Sequence, residues 1–141
     1  MLLNLIQELH TGTRRDYMAR MVDDKVACMK KAREFEFDYW DGARRYGYGG
    51  YTYQPGRWTK VAQALIERYN LKNGDRVLDL GCGKGYLLYE LQLLLPGLML
   101  AGWDRSAYAI KNAHPEFIGA MLKAPIQDIH YALDNSFDLI V

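Results

Sequence analysis

The stretch RVLDLGCGKGYLLYEL, residues 76–91, constrains the fold of this chain more than any other part of the sequence. It reads as a short apolar run containing Asp79, then glycines at alternate positions, then a leucine-rich segment. This order is typical of a buried strand, a tight loop and a helix. Gly81, Gly83 and Gly85 permit positive φ angles and close approach of the backbone to a ligand. We therefore predict a ligand-binding loop between a strand and a helix.

The sequence around this loop alternates between strand and helix patterns. After a helix over 58–71, the patterns predict a strand over 76–81, a helix over 86–95, a strand over 98–104, a helix over 106–114, a strand over 116–122 and a strand over 136–141. Strands that alternate with helices of about ten residues favour right-handed crossovers and a parallel sheet covered on both faces. The predicted fold class is α/β with a parallel sheet.

The chain before this region has a different character. Apolar residues at helical intervals predict one long amphipathic helix over residues 14–38. Residues 39–58 contain five glycines and many aromatic residues without a steady period, which is typical of a loop. We predict two parts, a helical extension with an aromatic, glycine-rich lid over 1–57, and a ligand-binding domain over 58–141.

Composition excludes few classes of function, but the cysteines and the first residues predict a cellular location. The formal net charge is +1, which argues neither for nor against a nucleic-acid partner. The two cysteines, Cys28 and Cys82, show no metal-type spacing, and a disulfide at Cys82 would distort the glycine loop. The first ten residues are too short and too polar for a signal peptide or a membrane span. We predict free thiols, a cytoplasmic location and no metal site.

The residues around these glycines distinguish three kinds of glycine loop. A phosphate-binding P-loop needs Ser or Thr after its lysine, whereas Lys84 is followed by Gly85. A dinucleotide fingerprint needs glycine where the chain has Tyr86. The remaining pattern is D-x-G-x-G-x-G, and Asp104 follows it by 19 residues at the end of the next strand. An acid at that place is the usual acceptor for ribose hydroxyls, although Asp104 could instead only cap the helix that begins at Ser106.

These motifs resemble a known family. VLDLGCGKGYLLYEL resembles motif I of class I S-adenosylmethionine-dependent methyltransferases, and LAGWDRS resembles their motif II. DNSFDLIV is similar to the strand-four signature of the same family. The resemblance covers about residues 58–141. It implies a Rossmann-like, seven-stranded fold of which this chain carries the first four strands, so that the chain is truncated after strand four.

The resemblance also implies a cofactor, S-adenosylmethionine, and residues that bind it. The methionine end and the ribose are assigned to the loop and to the end of the second strand: Asp79, Gly81, Cys82, Gly83, Gly85, Asp104 and Arg105. The family usually carries an acid for the adenine amino group where this chain has Pro125. Either Asp128 takes that role, or the adenine is held by stacking and by the backbone of Ile126 and Gln127.

The aromatic segment resembles the lid that precedes the first strand in many of these enzymes. Four tyrosines could line such a lid: Tyr46, Tyr48, Tyr51 and Tyr53. Arg57 could pair with the carboxylate of the cofactor. The alternatives are that the aromatic rings pack on the sheet, or that they stack on unpaired RNA bases beside arginine. Lys84 is predicted to be solvated beside the loop, and the three histidines to be isolated.

The leading interpretation is a methyltransferase that acts on an unidentified small-molecule acceptor. Its catalytic residues are unknown, because the family commonly places them just after strand four. A non-catalytic S-adenosylmethionine-binding protein and an RNA methyltransferase are the alternatives. The exposed apolar edge of strand four favours self-association into a homo-oligomer, because unpaired backbone groups there can pair with another chain. No membrane partner is expected.

Overall fold

The computed structural model describes residues 4–6, 16–124 and 136–141 of the chain. Contacts divide the chain into two compact units, Met1–Thr52 and Tyr53–Val141. The described elements, in chain order, are α1 (Tyr17–Val22), α2 (Lys25–Ala32), α3 (Phe37–Trp40), α4 (Thr59–Tyr69), β1 (Arg76–Leu80), α5 (Tyr86–Leu94), β2 (Met99–Asp104), α6 (Ala107–Lys111), β3 (Ala120–Lys123) and β4 (Leu139–Ile140). No helix among these elements combines the length and the apolar content that a membrane crossing requires.

The second unit is built on a parallel sheet with the strand order β3-β2-β1-β4. This order confirms the predicted fold class. Strand β1 pairs with β2 on one side and with β4 on the other, so the strand order reverses at β1. In parallel sheets ligands bind beyond the carboxyl ends of the strands at such a reversal. The glycine loop follows β1 and therefore lies at the position where this fold binds ligands.

The core of this unit lies between the sheet and helix α5, which contacts β2. Val77 and Leu78 in β1 are fully buried, as are Leu88 and Leu91 in α5. Helix α5 also packs against α4, whose residues Val61, Ala62 and Leu65 are buried. Apolar burial therefore holds α5 against both the sheet and α4. The loop between β1 and α5 is held at both ends by the core.

Gly102 in β2 marks how closely α5 approaches the sheet. A methyl group added there would lie 2.7 Å from Cys82 Sγ and 2.8 Å from Leu88 Cδ1. We expect Gly102→Ala to lower the free energy of unfolding by about 1–3 kcal/mol, measured by urea denaturation, because the core is overpacked. Cys82→Ala should restore part of the loss in the double variant, since it removes the nearest atom. A cost of Gly102→Ala below ~0.5 kcal/mol, the size of an ordinary surface substitution, would contradict this prediction.

The N-terminal unit differs from the predicted single helix. Helix α1 ends at Val22, and α2 begins at Lys25. Asp24 caps α2 by accepting a hydrogen bond from Ala27 N at 3.2 Å, and it does so with a φ of 29°. Aspartate competes with the helix for backbone amides and favours such caps. The prediction of one long helix is wrong because Asp24 starts a new helix instead of continuing the first.

The aromatic segment of this unit packs on itself. Trp40 is buried, its ring is stacked on Tyr48 with centroids 5.4 Å apart, and Tyr51 lies 5.3 Å away. The Trp40 indole donates to Phe35 O at 2.9 Å. Tyr46 lies under the Arg45 guanidinium. The predicted loop over 39–58 is wrong at Tyr39 and Trp40, which form the end of α3. Residues 41–52 have no helix or strand, as predicted, and Tyr48 and Tyr51 pack against each other and against Trp40.

The remaining predicted elements agree in type, with shifted ends. Helix α4, strands β1 and β2 and helix α5 lie within two residues of the predicted bounds. Strand β3 begins at Ala120 and not at residue 116. Phe117 N donates to His114 O, and Ile118 N donates to the Gln92 side chain. These amides are used in a turn and in a contact with α5, so they are not available to the sheet.

Candidate functional site

The loop after β1 has the backbone that the glycines predict. The φ angles are 88° at Gly81, 56° at Gly83 and 72° at Gly85. Gly81 N and Cys82 N both donate to Trp103 O, at 2.7 and 3.1 Å, so the loop starts by crossing onto β2. A methyl group added at Gly81 would meet nothing within 4 Å. The loop therefore leaves open space above Gly81 at the carboxyl edge of the sheet.

Asp104 ties this loop to the end of β2. Its Oδ2 accepts from Gly83 N at 2.8 Å, and its Oδ1 accepts from Ser106 N at 2.7 Å. The side chain is 8% exposed. Ser106 Oγ itself accepts from Ala109 N, so Ser106 caps α6. Asp104 thus does more than cap a helix, because it joins two segments that are distant in sequence. A carboxylate has about four lone-pair sites, so Asp104 keeps acceptor capacity beyond these two bonds.

Asp79 lies at the end of β1, near the charge of Asp104. Burial, and after it the nearby negative charge of Asp104, together raise the pKa of Asp79 to about 7. The two carboxyl groups therefore make a site with negative charge that a cation would compensate. Burial also raises the pKa of the Cys82 thiol. Cys28 and Cys82 are both free, as predicted.

Lys84 does not lie in solvent. Its side chain is 4% exposed, and its Nζ lies 5.8 Å from the centroid of the Tyr108 ring. Its backbone oxygen accepts from His114 N at 3.0 Å. The prediction of a solvated lysine is wrong because α6 and the turn after it cover this side of the loop. A cation above an aromatic face is a favourable way to bury such a side chain.

The other predicted site residues are exposed or lie outside the described residues. Arg105 is exposed beside Asp104. Arg57 is exposed, and its Nη1 donates to Gln54 Oε1 at 3.2 Å. Ile126 and Gln127, like Pro125 and Asp128, lie outside the described residues. The binding roles assigned to all these residues stay predictions.

The sequence did not indicate an aromatic cluster beside the loop. The ring of Tyr89 is stacked on His114 with centroids 3.6 Å apart, and Tyr53 contacts Tyr86, Tyr89 and His114 edge-on. His114 Nδ1 accepts from Glu116 N at 3.3 Å, so this histidine has a partner. The members come from three separate segments, and no local spacing connects them. The sequence contains one indication of this region, Glu90, which is a charged residue in the leucine-rich helix pattern. Its carboxylate accepts a hydrogen bond from Tyr53 OH of the cluster.

This arrangement fits S-adenosylmethionine. Carboxylates accept hydrogen bonds from ribose hydroxyls and attract ammonium groups. Asp104 offers an acceptor for the hydroxyls and Asp79 a partner for the ammonium group, both at the carboxyl edge of the sheet. The open space above Gly81 allows a ligand to approach the backbone. These two acceptors therefore match the ribose hydroxyls and the ammonium group of a nucleoside linked to an amino acid.

Comparisons with known proteins identify the family. A family model described as a methyltransferase domain matches residues 71–141. The ribosomal protein L11 methyltransferase of Thermosipho melanesiensis is 34% identical over 86 residues, which cover 59% of this chain and 32% of that protein. The trans-aconitate 2-methyltransferase of Mycolicibacterium gilvum is 29% identical over 77 residues, covering 51% of this chain and 30% of that protein. The chain thus spans about a third of the length of these curated relatives.

Solved structures show the same fold. The plantazolicin methyltransferase BpumL, in complex with a pentazolic desmethylPZN analog and SAH, aligns with a TM-score of 0.52 and 21% identity over 87% of this chain and 43% of its own. Coclaurine N-methyltransferase, bound to N-methylheliamine and SAH, aligns with a TM-score of 0.51 and 17% identity over 96% of this chain and 45% of its own. The family uses S-adenosylmethionine as its cofactor. From its motifs, its sheet and its matched domain, this chain belongs to the class I S-adenosylmethionine-dependent methyltransferase family.

Proposed function

We propose that this chain carries the cofactor-binding half of a methyltransferase that transfers the methyl group of S-adenosylmethionine to a small-molecule acceptor. One observation carries the proposal. The buried carboxylate of Asp104 holds the amide of Gly83 at 2.8 Å, beside the open space above Gly81. A ribose acceptor and a glycine loop are thereby fixed relative to each other before a ligand arrives, which lowers the cost of binding.

Each residue of the site has a distinct part in this proposal. Asp104 accepts from the ribose hydroxyls, and Asp79 faces the ammonium group of the methionine end. Arg57 pairs with the carboxylate of that end, because a guanidinium favours planar anions. The bound sulfonium supplies an already activated methyl group. The protein then has to orient the two reactants and exclude water, which requires no covalent step by these side chains.

The proposed acceptor class rests on charge and on the relatives. The net charge of +1 supplies no general attraction for a polyanion. Arg45, which could have contacted nucleic acid, pairs instead with Asp23 at 2.6 Å. Among the relatives, one is named for a small molecule, trans-aconitate, and one for a ribosomal protein. We favour a small molecule, and the accepting atom is left open.

Calorimetry tests the proposal directly. The chain should bind S-adenosylmethionine and S-adenosylhomocysteine with a stoichiometry of about one, because a single loop of this type was found. NAD should not bind, since Tyr86 replaces the third glycine of the dinucleotide fingerprint. Absence of binding for both adenosyl ligands would overturn the proposal. Transfer of a labelled methyl group to a panel of small acceptors then separates an enzyme from a protein that only binds the cofactor.

Several earlier expectations stay predictions. These are the cytoplasmic location, self-association through the β4 edge, the lid role of the aromatic segment and the domain boundary after residue 57. Light scattering tests the self-association, and a monomer at all concentrations would contradict it.

A further inference from the structure

Glu90 is a buried acid that the proposed chemistry does not use. It lies in the second turn of α5, and its side chain is only 3% exposed. Its Oε1 accepts from Tyr53 OH at 2.8 Å and from Gly56 N at 3.2 Å, and its Oε2 accepts from Thr59 Oγ1 at 2.9 Å. A buried carboxylate is costly unless hydrogen bonds compensate it, so these three donors explain why the charge is tolerated.

The three donors come from one short stretch of chain. Tyr53, Gly56 and Thr59 lie within seven consecutive residues, which we call the strap, residues 53–59. Arg57 lies in the middle of the strap, between two of the groups that Glu90 holds. The backbone on both sides of Arg57 is therefore attached to α5, the helix that begins directly after the glycine loop.

We propose that Glu90 is a positioning residue that holds the strap on α5, so that Arg57 is presented to the carboxylate of the bound cofactor. This inference rests on the proposed function. Glu90 touches neither cofactor nor acceptor in it. Its effect is transmitted through the backbone of Gly56 and through Thr59, which flank the guanidinium-bearing residue.

Further contacts connect the strap to the loop. The ring of Tyr53 lies 5.5 Å from that of Tyr86, the first residue of α5, and 4.6 Å from the ring of His114. His114 N in turn donates to Lys84 O in the glycine loop. Burial, and then the hydrogen bond to Glu90, raise the pKa of Tyr53 to about 12. The phenol therefore stays protonated and remains a donor at physiological pH.

A comparison of two ligands separates positioning from general stability. S-adenosylhomocysteine has the amino-acid end that Arg57 would bind, whereas 5′-methylthioadenosine lacks it. If Glu90 acts through Arg57, then Glu90→Ala lowers the affinity for S-adenosylhomocysteine about tenfold, because the contact with its carboxylate is lost. The affinity for 5′-methylthioadenosine, which has no carboxylate, falls less than about twofold. A merely structural role weakens both ligands alike. Glu90→Gln keeps one oxygen for the strap and should restore part of the affinity.

A matched pair of variants serves if Glu90→Ala does not fold. Tyr53→Phe and Tyr89→Phe each remove one phenol oxygen from the same aromatic cluster, and each phenol donates to a glutamate. Only Tyr53 belongs to the strap. We expect Tyr53→Phe to lower the affinity for S-adenosylhomocysteine about threefold, which corresponds to the loss of one hydrogen bond. Tyr89→Phe should leave this affinity unchanged. Equal effects of the two variants would overturn the inference.

Hydrogen exchange without ligand provides an independent measurement. The Gly56 amide donates a hydrogen bond to Glu90. Glu90→Gln and Tyr53→Phe should therefore speed exchange of this amide relative to amides in β1. Unchanged exchange overturns the inference. Failure of the wild-type chain to bind either adenosyl ligand overturns the proposed function and this inference with it. Wild-type binding that is insensitive to Glu90 and Tyr53 overturns only the inference.

Discussion

Replacement of Asp104 by alanine is expected to abolish detectable binding of S-adenosylhomocysteine and to destabilise the fold. The side chain accepts hydrogen bonds from Gly83 N and Ser106 N, and it is the proposed acceptor for the ribose. Hydrogen bonds to a charged group contribute about 1.5–3 kcal/mol each, and both amides are left buried without this partner. We expect the free energy of unfolding to fall by ~3 kcal/mol, as measured by urea denaturation.

A second acid provides the control for this experiment. Asp138 also accepts from a backbone amide, Arg76 N at 2.7 Å, but it is exposed and lies at the opposite end of the sheet. Asp138→Ala should leave the affinity for S-adenosylhomocysteine unchanged and cost less than ~1 kcal/mol of stability, as surface contacts do. Asp104→Ala that still binds within about threefold of wild type would contradict the proposed ribose contact.

Asp79→Asn is expected to stabilise the protein at pH 8 and to lower its affinity for the cofactor. Burial, followed by the charge of Asp104, raises the pKa of Asp79 from 3.8 to about 7. Between these two values the folded chain holds a proton that the unfolded chain releases. The stability that this group contributes is therefore greatest below pH 4, and it is lost as the pH rises to about 7. A shift of this size corresponds to an upper bound of roughly 4 kcal/mol.

The pH dependence gives this prediction its measurement. The free energy of unfolding of wild type should fall between pH 4 and pH 7 by more than that of Asp79→Asn, and the variant should be ~2 kcal/mol more stable at pH 8. Binding should change in the opposite direction. An ammonium group favours ionised Asp79, so the wild-type affinity should rise through pH 7, and the variant should lose about tenfold at pH 8.

Asp75→Asn is the matched control. Asp75 precedes the same strand and accepts from Lys72 N in an exposed turn, far from the loop. This variant should keep the wild-type pH profiles of both stability and binding. Parallel stability curves for wild type and Asp79→Asn across pH 4–8 would show that Asp79 carries no burial penalty in the folded chain.

Local pattern sufficed for the glycine loop and its flanking elements. The apolar run, the alternating glycines and the leucine-rich segment predict β1, the loop and α5 to within one residue of their ends. Local pattern failed where side chains competed for backbone amides. Asp24 started a new helix, and the Gln92 side chain took the amide of Ile118 away from β3. Such competition depends on which donor is near, and spacing alone does not reveal it.

Sequence by itself determined the order of strands and helices along the chain and the positive φ angles of the loop, because each follows from residues close together along the chain. The roles of Asp79 and Asp104 as cofactor ligands stay predictions. Only the tertiary structure decided that Asp104 reaches Gly83, that Lys84 is buried with its ammonium group over the Tyr108 ring, and that Glu90 accepts hydrogen bonds from residues 53–59. These contacts join groups that are 21 or more residues apart in the sequence. One of them also buries Lys84, although a lysine is expected to be exposed to solvent. They require the register of β1 on β2 and the packing of α5, which long-range contacts set.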